Sequence, residues 1–405
     1  MRSKHVRCLG LLLLGLALPS LSRAQGTFDA EEAIPRVEWR DGKTRITLDG
    51  FYLELSNRVQ PRFTFEMPDG AVQLGGTPAR GDAKGSFRIR RAKFKLEGWF
   101  YRPALEYELQ LNWPDVNNTP ASQFLEDANI DWDLSGKKAF RVKLGQMKAP
   151  FGRQQITSSG AQQFVDRGIQ DARFNDGRET GVALWGTLGG NRLDWRAMVS
   201  NGNGRTQVAN DNARFLYTAR LMWQAVGNAR MNQWGSGPLM TEGDLGDSAA
   251  NRGPLLALAG QLSDNDRSNA TSANDLRNRT WGMDYTFKYK GFATVGEAAW
   301  RNAKPETGAT LDARGLLLQA SYAWRAPGIA GASFWEIAAR YARVVDPSDL
   351  VGNDDQGEIG VALNYYYNRH SLKVQLDWRQ IEDDAANAGR GTGNQEWRLQ
   401  TQFIF

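Results

Sequence analysis

From about Gly50 to Phe405 the sequence alternates apolar and polar residues with a period of two. In Leu105-Glu106-Tyr107-Glu108-Leu109-Gln110-Leu111-Asn112-Trp113 every odd position is apolar and every even one polar. The pattern returns in Trp281–Tyr289, Leu372–Arg379 and Trp397–Phe403. Successive side chains of a strand point to opposite faces, so this chain forms strands with one apolar and one polar face. A helical period is absent, and so is any apolar run of the ~18 residues that a membrane-crossing helix needs. Sixteen such segments are readable: 51–67, 87–100, 103–113, 123–133, 139–147, 179–188, 192–200, 214–226, 254–264, 279–290, 292–302, 313–325, 333–345, 357–367, 370–382 and 394–405.

The connections alternate as well. After even-numbered segments they are tight, as at Tyr101-Arg102, Gly189-Gly190-Asn191, Gly291 and Asn368-Arg369. After odd ones they are long and rich in Gly, Asp, Asn and Pro, as at 68–86, 148–178, 265–278 and 384–393. The connection 227–253 breaks this rule, being long where a short one is due. An even strand count with short turns on one side and long loops on the other is the plan of an outer-membrane barrel. The polar face explains a mean hydropathy of -0.53 alongside 14 Trp, 11 Tyr and 18 Phe. Trp99, Trp113, Trp132, Trp281, Trp300, Trp324, Trp335, Trp378 and Trp397 fall near segment ends, where interfacial girdles would place them. A soluble sandwich or propeller is disfavoured because no blade-length repeat exists. The expected fold is all-β, a transmembrane antiparallel β-barrel of about 16 strands.

Residues 1–24 read as a secretory leader: Arg2, Lys4 and Arg7, an apolar stretch from Leu9 to Leu18, then Ser22-Arg23-Ala24 with small residues three and one positions before the expected cut. Its removal would take four of the 50 basic residues and leave 46 against 45 acidic ones, a net +1 in place of +5. A global argument for nucleic-acid binding therefore collapses. The single cysteine, Cys8, lies in the leader, which excludes disulfides and thiolate metal sites from the rest. A short periplasmic segment, 25–45, and a barrel over 46–405 complete the expected division.

Taken in order, several segments resemble the phosphate-selective porin O and P family: Phe87-Arg88-Ile89-Arg90-Arg91-Ala92, Gly145-Gln146-Met147-Lys148-Ala149-Pro150-Phe151-Gly152, Phe164-Val165-Asp166-Arg167, Gly177-Arg178-Glu179-Thr180-Gly181-Val182, Trp335–Tyr341 and Asn364-Tyr365-Tyr366. The chain closes on the terminal aromatic Phe405, as outer-membrane barrels do. The resemblance implies a sixteen-stranded, often trimeric barrel in the outer membrane of a Gram-negative bacterium. It also implies a basic pore for phosphate-like anions, a loop near 148–178 folded inward, and a central anion site at Arg90, Arg91 and Lys148. No cofactor or metal is expected.

Pleat parity supplies the pore lining independently. On the second strand Arg91, Lys93, Lys95 and Glu97 point inward, and on the fifth Arg141 and Lys143. The same parity turns in Arg58, Arg62, Arg196, Arg220, Arg340, Lys373, Arg379 and Arg398. Rings of Arg and Lys favour anions, and guanidinium groups match oxyanions in a bidentate way. Because adjacent strand residues alternate faces, Arg90 joins Arg91 in the lumen only through a bulge. Parity also turns Glu106, Glu108, Asp127 and Asp131 inward, between the two basic strands. This transverse pattern supports an alternative, a weakly selective diffusion porin, and would let Arg91 neutralise Glu106 or Glu108. The loop 148–178 carries Lys148, Arg153, Arg167, Arg173 and Arg178 against Asp166, Asp171 and Asp176. An enzyme is not expected: no G-x-S-x-G is present, and the one histidine beyond the leader, His370, falls at a tight turn.

Overall fold

The computed structural model describes residues 35–405 except 41, 68–82, 114–123, 207–209, 211, 232–233, 235–236, 268–275, 306–307, 327–332, 347–354 and 384–393. The expected leader, 1–24, lies outside the described residues. Two short strands, β1 (Arg36–Arg40) and β2 (Lys43–Leu48), form a hairpin, and β2 pairs with β3 (Phe51–Met67). The chain then runs through β4 (Lys84–Phe100), β5 (Leu105–Asn112), β6 (Leu125–Asp133), β7 (Arg141–Lys148), β8 (Arg178–Leu188), β9 (Leu193–Ser200) and β10 (Leu216–Val226). It continues as β11 (Leu255–Asp266), β12 (Leu276–Tyr289), β13 (Phe292–Pro305), β14 (Leu311–Arg325), β15 (Phe334–Val345), β16 (Gln356–Asn368), β17 (Leu372–Asp383) and β18 (Asn394–Ile404). Short helices α1 (Arg153–Ile156) and α2 (Ile169–Phe174) lie between β7 and β8, and α3 (Asp247–Ala250) between β10 and β11.

From β3 to β18 each strand pairs antiparallel with the next, and β18 pairs back onto β3 with Gln395 opposite Met67 and Ile404 opposite Arg58. Phe405 and Asn57 complete the seam by exchanging backbone hydrogen bonds of 3.0 and 2.6 Å. The result is a closed barrel of sixteen strands among the described residues. Closure is required in lipid, where an open edge would leave backbone groups without water to bond. Strand ends fall within three residues of those read from the alternation. The hairpin β1–β2 is the addition: strand pairing begins at Arg36, inside the stretch expected as a short periplasmic segment. It is held by charge, since Lys43 pairs with Glu54 and Glu97 and the Arg45 Nε donates to Glu54 at 2.8 Å.

The apolar face points outward. Val182, Leu184, Leu221, Trp223, Leu316, Leu318, Ile359 and Val361 are all exposed on it. Trp281 sits opposite Trp300, Trp324 opposite Trp335, and Trp378 opposite Trp397, which makes cross-strand aromatic pairs near both rims. Trp99 departs from the expected girdle. It shares parity with Lys93, Lys95 and Glu97, and stacks on Tyr52 with ring centroids 6.4 Å apart at the inner side of the tight-turn end.

Two inserted segments occupy part of the lumen. Residues 149–177 cross it to meet β11, β13 and β15–β18, while the described residues of 227–254 fold in from the tight-turn side. They touch each other where the Glu242 N–H donates to the Ala161 oxygen (2.9 Å) and Arg153 Nη2 to the Leu239 oxygen (2.8 Å). Small inward residues make room for them. Phe151 and Phe174 pack with Ala299, Ala313 and Val344; Phe164 packs with Ala338 and Ala362; Leu245 packs with Ala323, Phe334 and Tyr366. A Cβ on Gly315 would lie 2.4 Å from the Phe174 ring, so only glycine fits beneath it.

Candidate functional site

The inward loop is held by partners on the far wall. The Glu297 carboxylate on β13 accepts the N–H of Arg153 (2.7 Å) and of Gln154 (3.2 Å), the donors at the start of α1. Arg340 on β15 lies over the Phe164 ring at 4.0 Å and donates to the Asp166 backbone oxygen at 3.0 Å. Val165 N–H donates to Asp377 on β17 at 3.1 Å, and Lys373 donates to the Gln162 oxygen at 2.7 Å. Both inserts thus have anchors on β11–β18, and the open space is lined largely by β3–β8.

That space forms two neighbouring chambers. The one nearer the long loops holds about 400 Å³ and is lined by Arg91, Lys93, Lys148, Arg167, Arg178 and Arg205 against Glu126 and Asp176. The other holds about 600 Å³ and extends toward the tight turns. Its bases include Arg58, Lys95 and Lys143, and its acids are Glu54, Glu97, Glu106, Glu108, Asp127 and Asp131. Lys93, Lys148, Ser159 and Arg178 line both, so these four residues stand at the junction between the chambers.

At this junction the Lys148 ammonium donates to the backbone oxygens of Ile156 (3.0 Å) and Thr157 (3.1 Å), which leaves one of its three donors for the pathway. Arg58 donates to the Ser159 and Ser158 hydroxyls at 3.1 Å each. No carboxylate lies within ion-pair distance of Lys148 or Arg58 among the described residues. Lys93 is held by Glu126 at 2.6 Å, and Arg178 by Asp127 at 2.8 Å and Glu126 at 3.1 Å. Burial raises the Asp176 carboxyl of the loop to about 6, against the lowering influence of Ser263 and Arg301.

The expected site residues divide into two groups. Arg91, Lys93, Lys95, Lys148, Lys143 and Arg58 line the chambers. Arg62, Arg141, Arg220 and Arg340 face inward but line neither, because each is bound into the wall. Arg220 grips Asp284 (2.5 and 2.8 Å), Arg141 meets Asp131 (2.9 Å) and Glu106 (2.7 Å), and Arg340 meets Glu358 (3.2 Å). Arg91 does not neutralise Glu106 or Glu108; its carboxylate partner is Asp166 of the loop at 3.4 Å. Arg90 is also inside: the β3–β4 register steps from Gln60–Arg91 to Pro61–Ile89, and the bulge brings Arg90 to 3.3 Å from Asp166. Pro61 gives the physical reason, since it has no N–H to offer the ladder.

Arg205, Ser158, Ser159 and Trp234 were not expected at the pathway. Trp234 reaches the lumen from the 227–254 insert, where Lys143 stands 5.1 Å and Arg196 4.8 Å from its ring. No alternation marks these residues, because they lie in connections.

Residues 69–405 match the family described as phosphate-selective porin O and P. No curated protein matches the chain. Among solved structures, the anion-selective porin from Comamonas acidovorans shares 12% identity at a TM-score of 0.53, covering 87% of this chain and 99% of that one. OmpF of Salmonella typhi in complex with daunomycin shares 13% at 0.59, covering 89% and 100%. OmpT of Vibrio cholerae in its trimer form shares 8% at 0.55, covering 88% and 100%. At these identities the likeness is one of fold.

Proposed function

The chain belongs to the phosphate-selective porin O and P family of outer-membrane channels, and on that premise we propose that phosphate-class oxyanions diffuse passively through the junction of its two chambers. The observation that carries this reading is the lining of the long-loop chamber, six basic side chains against two acidic ones, with Lys93, Lys148 and Arg178 also lining the second chamber. In a constricted, partly dehydrated passage the effective dielectric falls and each base counts for more than in bulk water. Donors shared among several residues also suit conduction, because an ion that binds must leave again. Arg91 and Lys148 supply the central donors, with Arg58 on the tight-turn side.

Planar-bilayer recording in a KCl gradient tests the selectivity. A reversal potential on the anion side is expected, and clear cation preference would end the proposal. Phosphate added to the chloride bath should then reduce the current, and replacing both Arg91 and Lys148 by Ala should relieve that block; unchanged block would place the site elsewhere.

The weakly selective alternative draws on one feature, the tight-turn mouth, where Glu54, Glu97, Glu106, Glu108 and Asp131 stand against Lys143. Cation preference in the same recording would favour it. We further propose a homotrimer in the membrane, as in the OmpT structure of shared fold. Cross-linking in detergent should yield three copies, and a single copy at every protein concentration would count against it.

A further inference from the structure

The carboxylate of Asp166 stands at the tip of the inward loop inside a cage of four arginines. Arg62 Nη1 lies at 2.6 Å, Arg90 Nη2 at 3.3 Å, Arg91 Nη2 at 3.4 Å and Arg398 Nη1 at 3.5 Å. These residues come from β3, β4 and β18, so the cage spans the seam of the barrel. One carboxylate facing four guanidinium groups is the arrangement an oxyanion ligand would make. Arg91 also lines the long-loop chamber, so the cage opens onto the permeation path.

We propose that Asp166 is an internal counter-ion that occupies a latent oxyanion site and thereby weakens the pore's hold on permeating phosphate. This deepens the function proposed above and rests on it. The carboxylate stays charged. Burial alone would raise its pKa, but Arg62 and Arg90 outweigh that and hold it well below the usual carboxylate range. Acidification across the physiological range therefore leaves the cage occupied. The acids facing the cage from neighbouring strands are Asp377, which binds Arg398 at 2.8 Å, and Glu396, 3.2 Å from Arg398 and 2.8 Å from Arg379. Loss of the Asp166 charge moves the balance of these eight groups from +2 to +3 beside the path. The loop backbone keeps its own anchors, since Arg340 holds the Asp166 oxygen, Arg62 Nη2 the Val165 oxygen (3.0 Å), and Asp377 the Val165 N–H.

The test is Asp166→Asn, with inorganic phosphate as the probe and single-channel chloride current as the readout. Phosphate should block the variant at about tenfold lower concentration than the parent channel, roughly 1.4 kcal/mol of tighter binding. Asp264→Asn, which removes the same unit of charge at the rim of β11, should leave the block unchanged. Equal block in parent and Asp166→Asn, or an equal shift in Asp264→Asn, overturns the proposal. Asp166→Ser should behave as Asp166→Asn does, and failure of both to give heat-modifiable barrels would make Asp166 a folding residue and likewise overturn it. If phosphate fails to block even the parent channel, the central anion site itself falls. If it blocks the parent but not the variant more tightly, only the counter-ion role falls.

Discussion

The two halves of the lumen use the same inward arginines for different ends. Along β11–β18 the wall offers Ala257, Ala299, Ala313, Ala338 and Ala362, and the inserts fill the space above them. There Arg340 is buried against Glu358, and Arg220 reaches from β10 to Asp284 on β12; both hold structure together. Along β3–β8 the inward side chains are long and charged, and although Asp166 meets Arg62 and Arg91 and Trp234 stands by Lys143, Arg58, Lys93 and Lys148 line the open chambers. A base on the pore-facing side of a strand is therefore not yet a pore base. What stands in front of it decides.

The largest effect should come from the filled half. Arg340→Ala leaves the buried Glu358 without its partner and removes the grip on Asp166; breaking such a pair costs about 3–5 kcal/mol. Thermal unfolding of the detergent-solubilised barrel should move well down. A barrel of parental stability would mean that the two halves are not different in kind.

Next is the open half. Lys148→Ala combined with Arg58→Ala should raise the phosphate concentration needed for half block about tenfold, roughly 1.4 kcal/mol, while thermal unfolding stays near that of the parent. A large loss of stability instead would show these bases to be wall residues like Arg340.

A smaller change is expected at the tight-turn mouth. Glu106→Gln with Glu108→Gln removes two of the carboxylates opposing the bases, so reversal potentials should shift further toward anions, by about twofold in permeability ratio. A shift toward cations would reverse the assigned roles of the chambers.

The smallest concerns pH. Asp176, with its carboxyl at about 6, is ionised at pH 7.5 and becomes neutral as pH falls to 5. Neutralising it adds one unit of positive balance to the long-loop chamber, so chloride selectivity should rise on acidification. The rise should vanish in Asp176→Asn, and its persistence there would point to another carboxyl.

Much of this was legible in the residues. The run Leu105–Trp113 has one reading as a strand, and parity alone put Arg91, Lys93, Lys95 and Lys143 on the correct face. Trp99 was misread because tryptophan suits both a lipid rim and a lumen wall, and only its parity with Glu97 separates them. Arg90 was readable as a lumen residue only with a bulge, and Pro61 on the opposing strand is the signal that could have located it. The unexplained length of 227–253 has its answer in contacts made far along the chain, with Lys288, Tyr366 and His370.

The sequence by itself determined the barrel, because a period of two fixes which face each residue takes, and lipid on one side leaves closure as the only way to satisfy the strand edges. The tertiary structure decided which inward charges are used for transport. Pairing between Arg340 and Glu358, or among Asp166, Arg62, Arg90, Arg91 and Arg398, joins residues far apart in the chain, and only the closed barrel brings them within reach of one another.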